Sequence, residues 1–587
     1  MKSKQIFFKI LKYQFKIFFI TMLWMPFHSL SAQTKEKDTL DKQVVNVVKP
    51  YRPKVADAFK IKEMPKINSG ATAQKKPINY SIFSIPVAST FTPTKAKAAS
   101  IIPVKKQRLF NNYALLEAGS YTTILGELFL NYDISETENI GTFINHHSSN
   151  GGIREVLLDN DFSVSQANFF YTQSQRDFNW KIDAGVDLRN YNWYGTRLSV
   201  NEIQIDNFNT QQSYKTFYGG GHINFEDRTI QNIKAKFTHF QDDFNSKENR
   251  FLSAFNFNLP ILADGLLTQI NIDYIDGDFS NAALANNKLN FGNVILDMSS
   301  KVYVKQGDLE LNLGAQISYL NDFESGEHKF FFYPQVNASY PIVDKSLEIY
   351  AGIDGDLLQN SYQEFAYANP FVSPTLSVSP TDQQYNGFLG VRGKVFDMAN
   401  YNLKGSYKSE KNKPFFQSNT YDISTQPQNF LAANSFNVVY DLVRTLHFSG
   451  ELNVDISENF TFGLTANYYN YYTNKYEHAW NLPNVTGSVR MEYQISEDWF
   501  TGASLFYTGS RKDLITNRDT TLFTFTEQVV TINSFIDANA HVGYRINDQF
   551  TAFVKGNNLS GQNYELWTSY PVQGIQILGG VMYQFNF

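Results

Sequence analysis

The 587-residue chain has no cysteine and, after residue 32, no long run of apolar residues. The absence of cysteine excludes disulfide bonds, thiolate catalysis and zinc sites built on cysteine. No apolar stretch beyond residue 32 approaches the ~18 residues that a membrane-spanning helix requires. A chain of this kind can still span a membrane with strands, because only every second residue of such a strand faces lipid.

Aromatic residues, by contrast, are abundant. They make up 16% of the chain, with 51 Phe and 35 Tyr. Soluble domains rarely need so many, whereas a membrane barrel uses them for a girdle at each of the two membrane interfaces. The composition therefore favours a protein of the outer membrane, in contact with its lipid.

Residues 1–32 have the three parts of a secretory signal peptide. An apolar stretch runs from Phe18 to Phe27, and small residues at Ser29, Ser31 and Ala32 offer a cleavage site before Gln33. Five lysines give the stretch before it a positive charge: Lys2, Lys4, Lys9, Lys12 and Lys16. We expect export with cleavage of this segment, and the alternative is an uncleaved anchor.

Charge divides the rest of the chain into two parts. Residues 34–108 hold 16 basic and 5 acidic residues, whereas residues 109–587 hold 30 basic and 51 acidic ones. Residues 33–109 are rich in Lys and Pro and show no persistent helical or strand period. We predict a basic N-terminal segment over 33–109, either a rudimentary plug or a periplasmic tail, followed by a separate domain over 110–587.

Within 110–587, apolar and polar residues alternate along long stretches. Between Leu309 and Tyr319 every second residue is apolar, and the residues between them are Glu310, Asn312, Gly314, Gln316 and Ser318. Residues 269–274, 446–456 and 485–495 alternate in the same way. His447 takes a polar position in its stretch, and His541 takes a polar position in another alternating stretch. A period of two indicates strands with one apolar and one wet face.

Strand length and loop length distinguish a membrane barrel from a soluble sandwich. The alternating stretches run 10–14 residues, against about 5–6 for soluble strands. Short turns alternate with long loops near 195–212, 357–382, 411–430 and 511–529, as in barrels with periplasmic turns and external loops. Ten short turns can be placed: they lie near residues 136, 176, 228, 262, 306, 343, 398, 458, 497 and 548. The predicted fold is all-β: a transmembrane antiparallel β-barrel of about 22 strands.

The last residues form one more alternating stretch. Apolar residues from Ile575 to Phe587 share one parity, and the chain ends on an aromatic residue. We predict a membrane strand that closes at Phe587. Its residues Tyr583, Phe585 and Phe587 resemble the signal that the barrel-assembly machinery recognises.

The C-terminal region also resembles a known family. Residues Val554–Leu559, with the sequence Val-Lys-Gly-Asn-Asn-Leu, precede Tyr564-Glu565, Pro571 and Gly574. This order resembles the C-terminal signature of TonB-dependent receptors over about 35 residues, and a 22-stranded barrel fits that family. The signal end, Ser31-Ala32-Gln33, resembles the Bacteroidetes type. The resemblance implies an outer-membrane receptor that takes up a nutrient.

The N-terminal region departs from that family. About 77 residues separate Gln33 from the first strand, which is fewer than a complete plug domain has, and no Ile-Arg-Gly element occurs. The plug is thus predicted to be shortened or absent. A valine-rich stretch resembles the opening of a plug and makes four residues weak candidates for a contact with TonB: Val44, Val45, Val47 and Val48.

The width of such a barrel sets a further constraint. Twenty-two strands spaced ~4.8 Å apart and tilted ~40° form a barrel ~44 Å in diameter, and although side chains narrow it, an outer membrane cannot leave so wide a lumen open. The basic segment is a candidate to obstruct it, but at roughly 10,000 Å³ it cannot fill roughly 27,000 Å³. Inward loops, or a lumen-filling or surface lipoprotein partner, would supply the rest. The alternative functions are a structural or accessory subunit of an outer-membrane complex and, less favoured, a passive porin.

No pattern predicts enzymatic chemistry, a cofactor or a metal site. His146 and His147 lack an acid at ligand spacing and are predicted as a surface pair. Asp276-Gly-Asp278 and Asp354-Gly-Asp356 have oxygens suited to calcium, but Asp-Gly is also common where strands meet loops. The basic segment lacks regularly interleaved aromatics, so nucleic-acid binding is not expected.

Overall fold

The computed structural model describes residues 109–156, 158–195, 210–226, 229–261, 265–280, 289–396, 398–419, 430, 433–519 and 524–587. The predicted signal peptide and almost all of the N-terminal segment lie outside these residues. Within the described ranges no helix is long and apolar enough to cross a membrane.

The first half of the barrel consists of long strands, each joined to the next by antiparallel pairing. They are β1 (Asn112–Gly119), β2 (Thr123–Asp133), β3 (Glu138–Ser149), β4 (Phe162–Ser174), β5 (Phe178–Asn192), β6 (Gln211–Phe225), β7 (Ile230–Asp242), β8 (Lys247–Leu259), β9 (Leu266–Phe279), β10 (Leu289–Gln306), β11 (Leu309–Asp322), β12 (His328–Val343) and β13 (Leu347–Leu358). A short 3₁₀ turn at Ser120–Thr122 joins β1 to β2.

The second half continues the same sheet and adds two small hairpin sheets. Its strands are β14 (Thr381–Val395), β15 (Ala399–Ser418), β16 (Phe436–Ser457), β17 (Phe460–Tyr472), β18 (Val485–Gln494), β19 (Trp499–Thr508), β20 (Arg511–Asp519), β21 (Thr524–Ile532), β22 (Phe535–Arg545), β23 (Phe550–Asn557), β24 (Glu565–Trp567), β25 (Tyr570–Pro571) and β26 (Gln576–Phe585). Among the residues that the structure describes, one α-helix, here called α1 (Tyr362–Ala368), lies between β13 and β14. The pairs β20–β21 and β24–β25 stand apart from the barrel sheet.

The barrel closes between its first and last strands. β1 pairs with β26 in antiparallel register, with Ala114 opposite Tyr583 and Leu116 opposite Val581. β19 pairs with β22, and β23 pairs with β26, so the two hairpin sheets do not interrupt the ring. The prediction of a 22-stranded antiparallel barrel is confirmed. Closure removes the free edges at which backbone N–H and C=O groups would face lipid without partners.

The two ends of the barrel differ in their connections. At one end, here called the turn end, ten connections span two to six residues: 134–137, 175–177, 226–229, 260–265, 307–308, 344–346, 396–398, 458–459, 495–498 and 546–549. All ten predicted turns lie at or beside these positions. The other end, the loop end, carries the longer connections, including 193–210, 359–380, 419–435, 473–484, 509–534 and 558–575. The predicted loop over 411–430 starts too early, because β15 continues to Ser418.

The predicted alternation becomes an outer and an inner face. Residues directly opposite each other in an antiparallel pair lie on the same face. Leu313 of β11 lies opposite Val302 and Val336, and all three belong to the apolar outer surface. Asn312 lies opposite Tyr303 and Asn337 and faces the lumen. The outer surface also carries aromatic residues at both ends of the strands. Those near the turn end include Tyr132, Tyr340, Trp499 and Tyr544, and those near the loop end include Tyr274, Phe323, Phe330 and Tyr472.

The C-terminal strand differs from its prediction by two residues. β26 ends at Phe585, and Phe587 follows it outside the ladder. Beyond Phe585, hydrogen bonds between Asn586 and residues 109–111 take the place of the β1–β26 ladder. The amide N–H of Asn111 donates to Asn586 Oδ1 at 2.6 Å. Phe587 instead packs edge-on against Phe585 and Tyr132, with ring centroids 5.6 and 6.1 Å away.

Candidate functional site in the lumen

Residues of four connections pack against the inner wall at the loop end of the lumen. We call these residues the cap: 193–195, 359–380, 433–435 and 558–575. They pack with inward residues of β6, β7, β9 and β10 around one buried, mainly aromatic cluster. The cap therefore occupies the interior of the barrel mouth, as expected for inward-folded loops in a barrel of this width.

Helix α1 is the inner part of the cap. Its N-cap is Ser361, whose Oγ accepts a hydrogen bond from the Glu364 N–H at 3.0 Å, and this satisfies a backbone donor that has no intrahelical partner. The helix ends at Ala368, two residues before Pro370. Proline disfavours helical backbone in the residue before it, so the helix is limited to two turns.

Tyr362 fixes the start of α1 to the barrel wall. Its N–H donates to Glu248 Oε2 at 2.6 Å, and its hydroxyl donates to Asp242 Oδ2 at 2.7 Å. Its ring is fully buried and packs edge-on against Phe240 and Phe279, with centroids 5.2 and 5.0 Å away. Burial, together with the Asp242 carboxylate, raises the pKa of Tyr362 well above its ordinary value. The hydroxyl therefore remains a hydrogen-bond donor across the physiological pH range.

Arg250 joins α1 to the wall a second time. Its guanidinium binds Asp273 through two hydrogen bonds of 2.9 and 2.7 Å and reaches Glu364 at 2.7 Å. Only 13% of the Arg250 side chain is exposed, whereas 56% of Glu364 is exposed. The bidentate pair with Asp273 is thus the stronger of the two, because a planar guanidinium fits a carboxylate in that geometry.

Behind α1 the cap is held by backbone carbonyls and stacked rings. The Pro370 carbonyl accepts from Trp193 Nε1 at 2.9 Å and from the Tyr214 hydroxyl at 2.8 Å. The ring of Phe371 stacks on that of Tyr570 with a centroid distance of 3.5 Å. These contacts connect segments that are far apart in the chain, so the loops form one unit.

The residues of the C-terminal signature contribute to this unit. Buried Asn558 has a φ of 47° and donates from Nδ2 to the carbonyls of Gln562 and Gln573. The Tyr564 hydroxyl donates to Asp537 at 2.8 Å, and its ring stacks on Phe535 at 3.7 Å. The signature therefore shapes the last loop and its attachment to β22. The order of these residues in the sequence indicated the signature, but it did not indicate that they form part of the cap.

Below the cap, carboxylates from β9, β10 and β13 face a luminal recess of about 520 Å³. They are Asp273, Asp297 and Asp356, and Asp356 accepts from Gln316 Nε2 at 2.7 Å. Arg250 neutralises Asp273, while Asp297 and Asp356 form no ion pair with a described residue. Lys234 and Lys236 of β7 line the same recess, so side chains of both charges face this side of the lumen.

Some of the candidate residues from the sequence lie on the outer face of the barrel, and others lie outside the described residues. Tyr583 and Phe585 lie on the outer face of the turn end, with rings 5.3 Å apart. The four valine candidates, Val44, Val45, Val47 and Val48, lie outside the described residues.

The prediction that His146 and His147 form a surface pair is wrong. His146 bonds Ser165 on the outer face at 2.8 Å, whereas His147 is buried on the inner face against Phe162. Alternation within β3 separates the two side chains. His447 and His541 do face the lumen, as their parity predicted.

Both Asp-Gly-Asp stretches lie inside strands, in β9 and β13, rather than in turns. Nowhere in the described part of the chain do three His, Asp or Glu side chains gather as a metal site.

The comparisons with known proteins concern the fold. No protein-family model matches the sequence, and no curated protein matches it. Solved structures do resemble it. The FrpB iron transporter from Neisseria meningitidis superimposes with a TM-score of 0.61 at 9% identity, covering 81% of each chain. The siderophore receptor PirA from Acinetobacter baumannii gives 0.59 at 11% identity, covering 81% of this chain and 80% of that one.

A third similar structure is the ferripyoverdine receptor of the outer membrane of Pseudomonas aeruginosa. It gives a TM-score of 0.58 at 13% identity, covering 82% of this chain and 72% of that one. The barrel has the fold of TonB-dependent siderophore receptors. The likeness bears out the barrel fold that the resemblance of the C-terminal signature implied.

The Tyr362 hydroxyl provides a direct test of how the cap is held. In Tyr362→Phe we expect the cap to open more readily, by about 1–3 kcal/mol, because Asp242 loses a buried donor. Hydrogen exchange of the amides in 362–368 measures this opening. Tyr340→Phe, on the outer surface, is the matched control and should leave that exchange unchanged. Unchanged protection in Tyr362→Phe would show that this bond does not hold the cap.

Proposed function

We propose that this chain is a receptor-like barrel of the outer membrane that takes up a nutrient, with its loop end outside and its turn end in the periplasm. The observation that carries the proposal is a closed 22-stranded barrel with the fold of siderophore receptors and a loop-built cap in its mouth. Short turns on the periplasmic side and longer loops outside are the usual orientation of such barrels. In this proposal the aromatic residues Tyr583, Phe585 and Phe587 guide insertion by the barrel-assembly machinery.

The N-terminal segment is the proposed second closure of the lumen. Leu109 lies beside Asn586 at the turn end, where its carbonyl accepts from Asn586 Nδ2 at 3.2 Å. Leu109 therefore lies at the end of the barrel opposite the cap. The excess of basic over acidic residues in the N-terminal segment, 16 against 5 over residues 34–108, is opposite in sign to the acidic excess of residues 109–587, to which the luminal Asp297 and Asp356 belong.

Energised uptake is proposed to begin at the valine-rich stretch of this segment. Residues Val44, Val45, Val47 and Val48 are the candidates for a contact with TonB in the periplasm. A short stretch of β-branched residues is suited to adding a strand to the exposed sheet edge of a partner. The support is the resemblance of this stretch to the opening of a plug, together with the receptor fold of the barrel.

Deletion of residues 40–49 tests the uptake proposal. We compare which compounds cells remove from a defined medium with and without the chain, and then with the deletion variant. We expect the chain-dependent uptake to be lost while insertion into the outer membrane stays normal, since the barrel is intact. Deletion of residues 86–95, of equal length, should retain uptake. Retained uptake in the 40–49 deletion, with a stoichiometric partner in detergent extracts, would instead indicate the accessory-barrel function.

Conductance in planar bilayers tests the second closure. Deleting residues 34–108 should raise the single-channel conductance, because the basic segment no longer obstructs the lumen. The double substitution Asp297→Asn with Asp356→Asn should raise it partly, whereas Asp344→Asn in a turn should not. Equal conductance of the full chain and the deletion variant would contradict a luminal position for the segment.

A further inference from the structure

A second luminal recess lies between β14 and β17, away from the recess that Asp297 and Asp356 line. It has a volume of about 200 Å³, which is less than the ~300–1,000 Å³ of typical sites for drug-sized ligands. The side chains that define it are Asn386, Lys404, Lys408, Lys413, His447 and Tyr469. A recess of this size suits a small polar ligand or the end group of a larger one.

Positive charge exceeds negative charge around this recess. Lys408 and Lys413 share one carboxylate, Glu410, at 3.0 and 2.6 Å. Lys404 has no ion pair with a described residue, and its ammonium lies 4.4 Å from the centroid of the Phe388 ring. The other nearby carboxylate, Asp354, accepts hydrogen bonds from the amides of Gln383 and Asn386 at 3.3 and 3.1 Å. Lys404 therefore brings a positive charge that no neighbouring carboxylate neutralises.

Three stacked rings form one wall of the recess. His447 lies parallel to Tyr469 with centroids 4.3 Å apart, and Tyr469 lies parallel to Tyr471 at 5.8 Å. Because the rings cover one another's faces, they offer their polar edges to the lumen. His447 Nε2 forms a hydrogen bond with Asn467 Oδ1 at 3.1 Å. The Tyr469 hydroxyl has no hydrogen-bond partner among the described residues.

A buried hydroxyl in the same wall also lacks a partner. Thr445 lines the recess, is 3% exposed, and its Oγ1 forms no hydrogen bond. Leaving a buried polar group unpaired costs about 1–3 kcal/mol, so native structures seldom keep one without a reason. Together with Lys404 and Tyr469, Thr445 supplies a third hydrogen-bond donor that has no acceptor among the described residues.

We propose that this recess binds an oxyanion, a phosphate or carboxylate group, with Lys404 as its principal ligand and the hydroxyls of Tyr469 and Thr445 as further donors. A cation would meet an excess of positive charge there. A neutral sugar would leave the charge of Lys404 unbalanced, whereas an oxyanion accepts a charge-assisted hydrogen bond from Lys404 and further hydrogen bonds from the hydroxyls at once. The proposal concerns binding within the lumen and holds whether or not the chain performs energised uptake.

Calorimetric titration of the purified full chain in detergent tests this assignment. The probes are inorganic phosphate and citrate, added separately in a buffer free of other oxyanions. We expect saturable binding of at least one probe, weakened by added sodium chloride because the attraction is partly ionic. The probe that binds more tightly distinguishes a phosphate from a carboxylate ligand.

Variants then locate the binding. Lys404→Gln should weaken it about tenfold or more, the usual effect of losing a hydrogen bond from a charged group, and Lys404→Arg should restore most of it. Tyr469→Phe keeps the stacking but removes the hydroxyl, and should weaken it less. The matched control is Lys236→Gln, since Lys236 is also luminal and lies 4.4 Å from the centroid of an aromatic ring, Tyr218. Absence of binding of either probe, or an equal loss in Lys236→Gln, would overturn the proposal.

Discussion

The hydrogen bonds between β1 and β26 are the contact on which the rest of the structure depends. Inside a bilayer no water is available to satisfy backbone N–H and C=O groups, so a sheet can span it only as a closed ring. The pairing runs from Asn112 opposite Phe585 to Gly119 opposite Leu578 and joins the two ends of the barrel chain. The asparagines beside it, Asn111 and Asn586, continue the contact beyond the last ladder position.

Closure of 22 strands produces an outer surface that contacts lipid and, inside it, a wide lumen that has to be obstructed. Alternation sends one parity of side chains to lipid and the other to the lumen of a barrel ~44 Å in diameter. That width explains why the longer loops fold inward, and why Tyr362 and Arg250 fasten α1 to inward-facing acids of the wall. Those inward acids would be costly on the outer face, where lipid contacts the side chains. The same alternation leaves room for two luminal recesses, one lined by carboxylates together with Lys234, Lys236 and Arg250, and one lined by lysines without a carboxylate.

Local patterns in the sequence sufficed to predict the barrel but not the cap. The period of two in β11, and the polar clusters at the turns, depend only on neighbouring residues and gave both faces and the strand number. Helix α1 has only seven residues and no detectable period, so nothing local indicated it. Its partners Asp242 and Glu248 lie more than 110 residues away and are brought to it only by ring closure.

At the C-terminal end, too, the local pattern predicted which face a residue lies on but not its contacts with distant residues. Parity placed Tyr583 and Phe585 on the outer face correctly. It did not show that the ladder stops at Phe585, because that depends on Asn586 bonding to Leu109 and Asn111 from the other end of the domain. Likewise, the stacking of Tyr570 on Phe371 joins two loops whose sequences carry no sign of one another.

Spin-label accessibility along β11 tests the central claim, a lipid-facing parity and a wet parity around a closed ring, most directly. Because the chain has no cysteine, a single cysteine introduced at each position from Leu309 to Asp322 can be labelled without interference. In reconstituted bilayers, labels on the parity of Leu313 and Ile317 should collide mainly with oxygen dissolved in lipid. Labels on the parity of Asn312 and Gln316 should collide mainly with a water-soluble nickel complex. A uniform ratio of the two collision rates along the strand would contradict the membrane barrel.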